Sequence, residues 1–302
     1  MERYDLGIDL GGTYIKYALV DEEYNIVEKW KIPTIRFDTK DEFYDYVCAG
    51  GKGLDAVNAI GVSSPGLIDR MSNVKSYASP NVRIMYGTNV NDEIARRTAK
   101  KVATINDAKS AGLCELKIGN GKGTKSSAYL IIGTGTGGCL CTKDDVVYGH
   151  DGFAGEFHFL PFIDYRDNTV GMLGDNACMR GLIKFYNSKA PAGYVLNSGE
   201  EIVKQYLQGD ERARLAVEDW IKSISVQLLT IAVFYNPEVI CIGGGISEEE
   251  WFIQRMQESF TNICSAQFPG AMPITTEVRR CKYNNDANIL GAVIHVRMKK
   301  QV

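Results

Sequence analysis

The chain has 302 residues, 45% of them apolar and 24% charged, with a formal net charge of −3. That is enough chain for two domains of ordinary size in a globular protein. Dispersed basic residues exclude the footprint of a nucleic-acid binder, and the longest apolar run, Ser225 to Tyr235, is too short to span a membrane. The eight cysteines form no C-x-x-C pair; with no export signal ahead of the first strand they read as free thiols of a cytoplasmic protein.

In chain order, Leu6, Ile8 and Leu10 alternate, and so do Ile15, Tyr17 and Leu19. This predicts two strands joined by a tight turn, Asp9-Leu10-Gly11-Gly12-Thr13. Glycine lets backbone approach a bulky anion, and consecutive amides make an anion nest. Thr13 adds a hydroxyl, and Asp9 suits the water shell of magnesium. The turn reads as a nucleotide phosphate grip and, with equal weight, as an ordinary Gly-Gly hairpin.

A third strand is expected over 26–32, a helix over 41–49, and a break at Gly50-Gly51-Lys52-Gly53. A strand over 55–62 then runs into Ser63-Ser64-Pro65-Gly66, which ends in a type II turn signal. In a parallel sheet such loops lie where ligands bind, although a plain turn also accounts for it. Residues 70–92 read as a long irregular excursion, and 91–101 as a helix capped by Asn91. A buried strand over 102–105 ends at Asn106-Asp107, ahead of a helix over 108–116. Asp107 therefore reads either as a helix cap or as a general base.

Gly119 to Lys125 is the clearest linker. It divides a first lobe, residues 1–118 with 287–302, from a second, residues 119–286. The second opens with a strand over 127–132, the string Gly133-Thr134-Gly135-Thr136-Gly137-Gly138, and a return strand over 139–142. Two strand–Gly/Thr–strand units roughly 125 residues apart indicate an internal duplication whose halves could face each other across a cleft. A short strand is expected over 146–148, a break at 171–174, and helices over 176–188, 198–207 and 210–234. A buried strand over 239–242 leads into Gly243-Gly244-Gly245, and a helix starts at Ile246. An edge strand over 274–278 and a terminal helix over 287–298 complete the chain.

Phosphoryl transfer needs donors on the phosphate oxygens, a metal bridging phosphates and a base for the attacking hydroxyl. The two Gly/Thr turns supply the first, Asp9 the seat of the second and Asp107 the third, while the Gly243 triplet offers a shelf for adenosine.

These strings, with Ser64-Pro65-Gly66, Asn106-Asp107-Ala108, Gly155-Glu156, residues 236–246 and residues 286–292, resemble the ROK family of sugar kinases and regulators over essentially the whole chain. The resemblance implies an α/β, two-lobed actin-like ATPase (ribonuclease H-like) fold, with duplicated mixed sheets, flanking helices and a central cleft. It implies an ATP-dependent, glucokinase-like carbohydrate kinase, with Asp107 as the base for a sugar hydroxyl, O6. Ser64, Pro65, Gly66, Asn81, Asn106, Glu156 and His158 would hold the sugar. Asp9 would organise Mg2+ through water, and Gly11, Gly12, Thr13, Gly133, Thr134, Gly135, Thr136 and Gly137 would grip the ATP phosphates. Gly243, Gly244 and Gly245 would lie against adenosine. The expected partners are a small-molecule sugar and a second copy in a homodimer, with no nucleic acid and no membrane.

Many members of that family carry E-x-G-H followed by a zinc-binding cysteine segment. Here Glu156 is followed by Phe157-His158-Phe159, and only Cys178 lies nearby. No structural zinc is expected, and the chain is similar to zinc-free members, β-glucoside kinases among them. His158 reads as a packed histidine ahead of a sugar contact. The rival readings are a sugar-responsive regulator, for whose DNA-binding domain a motif at residue 9 leaves no room, and a silent sugar binder, which has no need of Asp107.

Overall fold

The computed structural model describes residues 3–76, 80–133, 135–164, 168–189, 194–270 and 274–299, without the side chains of 80–82 and 164. The chain divides into two compact units: Met1–Lys122 with Asp144–Ala154 and Asn285–Val302, and Gly123–Lys143 with Gly155–Asn284.

The first unit is built on a five-stranded sheet. Its strands are β1 (Tyr4–Leu10), β2 (Tyr14–Val20), β3 (Ile26–Pro33), β4 (Val57–Ser64) and β5 (Lys101–Asn106), in the order β3-β2-β1-β4-β5. The first three form the expected antiparallel meander, and β4 and β5 run parallel to β1. Helices α1 (Lys40–Ala49), α2 (Pro80–Met85) and α3 (Val90–Thr98) fill the crossovers, and α4 (Asp107–Ile118) follows β5. Leu6, Ile8, Tyr17, Ile60 and Val62 from the strands pack with Phe43, Tyr44, Val47 and Ile94 from α1 and α3. A capping box between Thr39 and Glu42 starts α1.

Three expectations need correction here. Residues 70–92 are not wholly irregular, because Pro80 opens a short helix, the position where proline's fixed φ suits helix entry. The cap of α3 is Asn89, which accepts from the Asp92 amide at 3.2 Å, because buried Val90 already belongs to the helix. Asn91 instead accepts from the Thr104 hydroxyl at 2.8 Å. Strand β4 begins at Val57, after a single 3-10 turn over Leu54–Ala56, and runs on through Ser63 and Ser64.

The second unit contains β6 (Ser126–Ile132), β7 (Thr136–Thr142), a small hairpin of β8 (Pro161–Asp164) and β9 (Thr169–Met172), and helices α5 (Leu173–Asn176), α6 (Met179–Ser188), α7 (Gly199–Leu207) and α8 (Glu211–Tyr235). Strand β10 (Val239–Gly243), helix α9 (Glu250–Gln267) and strand β11 (Glu277–Arg280) complete it. The main sheet has the order β11-β10-β6-β7. Hairpin β6–β7 is antiparallel, and β10 and β11 are parallel to β6. This repeats β2-β1-β4-β5 of the first unit strand for strand, lacking only a counterpart of β3.

No strand forms over 146–148, a stretch that groups with the first unit. The helix expected over 176–188 is two helices, because Cys178 is extended and the Asn176 carbonyl accepts from Trp220 Nε1 at 2.8 Å instead of continuing the ladder. The break expected at 171–174 is the end of β9 and the start of α5. Residues 245–248 form a 3-10 turn ahead of α9, and the edge strand lies at 277–280.

The last helix, α10 (Ala287–Met298), returns to the first unit and packs on α4, β4 and β1. It lies so close that side chains are excluded at the contacts. A Cβ on Gly61 would stand 2.1 Å from the Ala292 carbonyl oxygen, and one on Gly291 1.8 Å from that of Ser110. Arg297 ties the far end down, donating to Asp5 Oδ2 and the Asp21 carbonyl, each at 2.7 Å. Gly291→Ala is expected to destabilise the protein by about 1–3 kcal/mol through overpacking, read from urea unfolding.

Burial, with Lys299 nearby, pushes the imidazole of His295 on α10 down to about 4. Between that value and its ordinary 6.5 the unfolded chain holds a proton that the folded protein does not, so stability rises with pH. The contribution is fully present above pH 6.5 and is lost as pH falls through 4. Urea unfolding at stepped pH is expected to show a loss of about 3 kcal/mol across that window, and His295→Leu should flatten the slope.

Candidate active site

The tip of the β1–β2 hairpin is held from a distance. Strand pairing closes at Leu10–Ile15. Beyond it, the Thr34 hydroxyl donates to the Gly11 carbonyl at 2.7 Å and the Thr34 amide to the Thr13 carbonyl at 2.9 Å. With those acceptors occupied, Gly12 and Thr13 remain exposed, and a Cβ on Gly12 would meet nothing within 4 Å. The turn therefore presents backbone to open space, as an anion grip requires.

Asp9, at the foot of this hairpin, is buried. Its Oδ1 accepts from Ser63 Oγ at 2.8 Å and from Asn288 Nδ2 at 3.2 Å, and Lys16 Nζ lies 3.5 Å from Oδ2. Four elements, β1, β2, β4 and α10, thus converge on one carboxylate.

The C-terminal end of β5 carries the second constellation. Asn106 is the cap of α4: its Oδ1 accepts from the Lys109 amide at 3.1 Å. Its Nδ2 donates to the Gly66 carbonyl and to Asp107 Oδ1, both at 2.9 Å, and the same Oδ1 accepts from the Ala108 amide at 2.8 Å. The capping explanation for Asp107 therefore passes to Asn106. Asp107 is the first residue of the helix, half-buried, with its carboxylate in the favourable field of the helix N-terminus. Gly66 has φ +88°, as the third position of a type II turn demands. Ser64 is buried opposite Asn106 in the β4–β5 ladder, its hydroxyl on the Pro65 carbonyl at 3.3 Å. The Asn81 side chain lies outside the described residues.

In the second unit the Gly/Thr tip is shorter than expected. Ile132 pairs with Thr136 and Ile131 with Gly137, so the ladder already includes Thr136 and Gly137. Thr136 is buried in β7 with its hydroxyl on the Gly174 carbonyl at 3.5 Å. Gly133 and Gly135 are held together by an amide–carbonyl bond of 2.9 Å, and Thr134 lies outside the described residues. Gly138 packs under Phe157 and the Gly155 carbonyl.

The glycine triplet splits its work. Gly243 ends β10 beside Ile131 and Cys281. Gly244 has φ +94°, and a Cβ there would stand 1.9 Å from the Ile132 carbonyl oxygen. Gly245 meets nothing within 4 Å and lines a pocket of about 760 Å³. Ile132, Met179, Val203 and Ile246 give that pocket apolar walls, and Glu200 and Lys204 of α7 add charge. Such a mixture suits a flat heterocycle with polar substituents.

Glu156 is half-buried just before a 3-10 turn over Phe157–Phe159. The His158 ring sits edge-on to Phe159 at 4.8 Å and over Gly174, where a Cβ would come within 1.8 Å of Nδ1. Among the described residues no group of three or more His, Cys, Asp and Glu is placed to hold a metal ion, and no helix is long and apolar enough to cross a membrane.

Thr34, Ser63, Lys16, Asn288 and the α7 wall were not singled out by the sequence. Of these, Ser63 lay in the noted string Ser63-Ser64-Pro65-Gly66 and Asn288 in residues 286–292.

Duplicated sheets, each with a Gly/Thr hairpin and a parallel pair beside it, define an actin-like ATPase fold. The ROK family matches residues 5–299, and the chain belongs to it. It is 27% identical to a glucokinase of Thermotoga maritima, with 95% of each chain covered. In structure it is similar to a ROK family protein from Streptococcus pneumoniae TIGR4 in complex with sucrose, with TM-score 0.85, 23% identity and 99% and 100% of the two chains covered. It is also similar to a ROK family glucokinase from Streptomyces griseus in complex with glucose and AMPPNP, with TM-score 0.76, 22% identity and 98% and 99% covered.

Asn106→Ala removes a helix cap and two partly buried donor contacts at once. It is expected to cost about 1–2 kcal/mol in urea unfolding and to lower any activity that depends on Asp107.

Proposed function

We propose that the chain is an ATP-dependent carbohydrate kinase that transfers the γ-phosphoryl group to a hydroxyl, O6, of a hexose, amino sugar or β-glucoside. The observation that carries this is the Asn106–Asp107 pair. Asn106 does the capping and its Nδ2 also donates to Asp107 Oδ1, so the adjacent carboxylate is oriented at the start of the helix. A positioned carboxylate next to an acceptor hydroxyl is what general-base catalysis asks for. Asp107 accepts the hydroxyl proton as that oxygen attacks the phosphorus. Glu156 accepts hydrogen bonds from sugar hydroxyls, a charge-assisted contact; Ser64, Pro65, Gly66, Asn106 and Asn81 are the other residues proposed to hold the sugar. His158 stays a packing residue of this loop. The tip at Gly12 and Thr13 grips phosphate, and the pocket beside Gly245 takes the nucleoside.

The residues around Asp9 fit magnesium carried in its water shell by the nucleotide, since that ion asks a protein for only one or two carboxylates. When bound, magnesium neutralises charge on the β- and γ-phosphates. A homodimer is part of the proposal on grounds of family membership alone.

An ADP-release assay over glucose, N-acetylglucosamine, N-acetylmannosamine, fructose, allose and β-glucosides tests the reading. On the best acceptor, Asp107→Asn is expected to lower kcat about 10²- to 10⁴-fold with ADP affinity unchanged. Full turnover by that variant would sink the assigned base. ATP binding with no turnover of any sugar would favour the regulator reading.

A further inference from the structure

Asp9 and Lys16 stand opposite each other in the β1–β2 ladder, so both side chains leave the sheet on one face. Across β2, Lys16 is also opposite Lys31 of β3. Like charges directly opposite on neighbouring strands repel, and these two have parted. Lys31 Nζ sits 4.0 Å over the Tyr14 ring, and Lys16 Nζ lies 3.5 Å from Asp9 Oδ2. The resulting ion pair is lopsided, with the Asp9 side chain 6% exposed and that of Lys16 39%. Because Ser63 and Asn288 both donate to Oδ1, Oδ2 is the less engaged oxygen, and the ammonium stands at it. A hydrated divalent cation approaching Asp9 meets that ammonium first.

We infer that Lys16 competes with the divalent cation for Asp9, and that its ammonium passes to a phosphate oxygen when the magnesium nucleotide binds. Lysine suits such an exchange: it is a compact charge on a flexible stem, with three donors that need no fixed geometry. A half-exposed pair releases it at small cost. Lys16 follows Thr13 by one short stretch of the same hairpin, so the freed ammonium stays beside the phosphate turn. No covalent bond is made or broken. The exchange turns a resting ion pair into a phosphate contact and leaves the Asp9 carboxylate to the water shell of the metal.

The inference rests on the kinase reading, from which the metal at Asp9 is taken; binding of the metal alone is the arm of the test that needs no nucleotide. The test uses the full chain, wild type against Lys16→Met and Lys16→Arg. Binding of Mn2+ alone, followed by electron paramagnetic resonance, is expected to be about three- to five-fold tighter for Lys16→Met, the scale of a partly exposed ion pair. Lys16→Arg should match wild type. Metal-free ADP, followed by calorimetry, is expected to bind Lys16→Met about three- to five-fold more weakly. Mn2+ affinity unchanged or reduced in Lys16→Met would overturn the competition. Unchanged metal-free ADP affinity would overturn the transfer to phosphate. Wild type that binds Mn2+ but no ADP would fail the kinase reading and the transfer to phosphate with it, while the Mn2+ comparison would still decide the competition.

Discussion

The first unit depends on how close α10 comes to the sheet. Gly61 of β4 and Gly291 of α10 itself leave no room for a methyl group at the contact. Such an approach gains dispersion contacts over the whole face of the helix, but its larger consequence is positional. It brings Asn288, in the first turn of α10, within 3.2 Å of Asp9. The Asn288 carbonyl in turn accepts from Ser110 Oγ of α4 at 2.6 Å. Asp9 is therefore tied through one residue to the helix that begins with Asp107. The acid proposed for magnesium and the carboxylate proposed as base are fixed to a common frame, and a close-packed interior has low compressibility and transmits strain, so a shift at one is felt at the other.

The same economy governs the backbone at the site. An anion grip needs amide donors on a turn of fixed shape, and a turn is held when its carbonyls are bonded from outside it. Thr34 does this for the β1–β2 tip, taking the Gly11 and Thr13 carbonyls with two bonds from one residue. Asn106 does it at the β5–α4 junction, where one amide side chain caps a helix, holds the Gly66 carbonyl and orients Asp107. In both places the residue expected to meet the ligand is held by a neighbour whose own groups are spent on the fold.

Much of this was legible in the sequence, and the boundary has a physical cause. Alternation in Leu6, Ile8 and Leu10 marked β1 through its period of two, although the strand is buried on both faces. The Gly/Thr strings marked both hairpins, and the family resemblance carried the fold. Contacts that close over long chain separations left no local trace. Thr34 reaches back 23 residues and Asn288 reaches 279 to Asp9, and nothing in either neighbourhood announces it. Composition also misled within strings. Gly133 to Gly138 reads as one glycine-rich tip, but Thr136 and Gly137 are ladder residues and Gly138 is a packing site for Phe157. Glycine serves a turn, a close approach and an open surface alike, and only the neighbours tell which. Asn91 failed as a cap for a related reason: Asn89 and Asn91 have equal capping chemistry, and burial of Val90 decided between them.

Two carboxylates in the first unit show what the surroundings add to residue type. Asp9 is buried, accepts two hydrogen bonds on one oxygen and faces an ammonium with the other. Asp107 is half-buried at a helix start, with an amide side chain and a backbone N–H on one oxygen. The first setting holds its charge against a cation and exchanges one cation for another. The second places a carboxylate at the positive end of a helix, held by two donors on one oxygen. The proposed assignment of metal seat to one and base to the other comes from the family resemblance, and the difference in environment is in keeping with it, because the side chains themselves are identical.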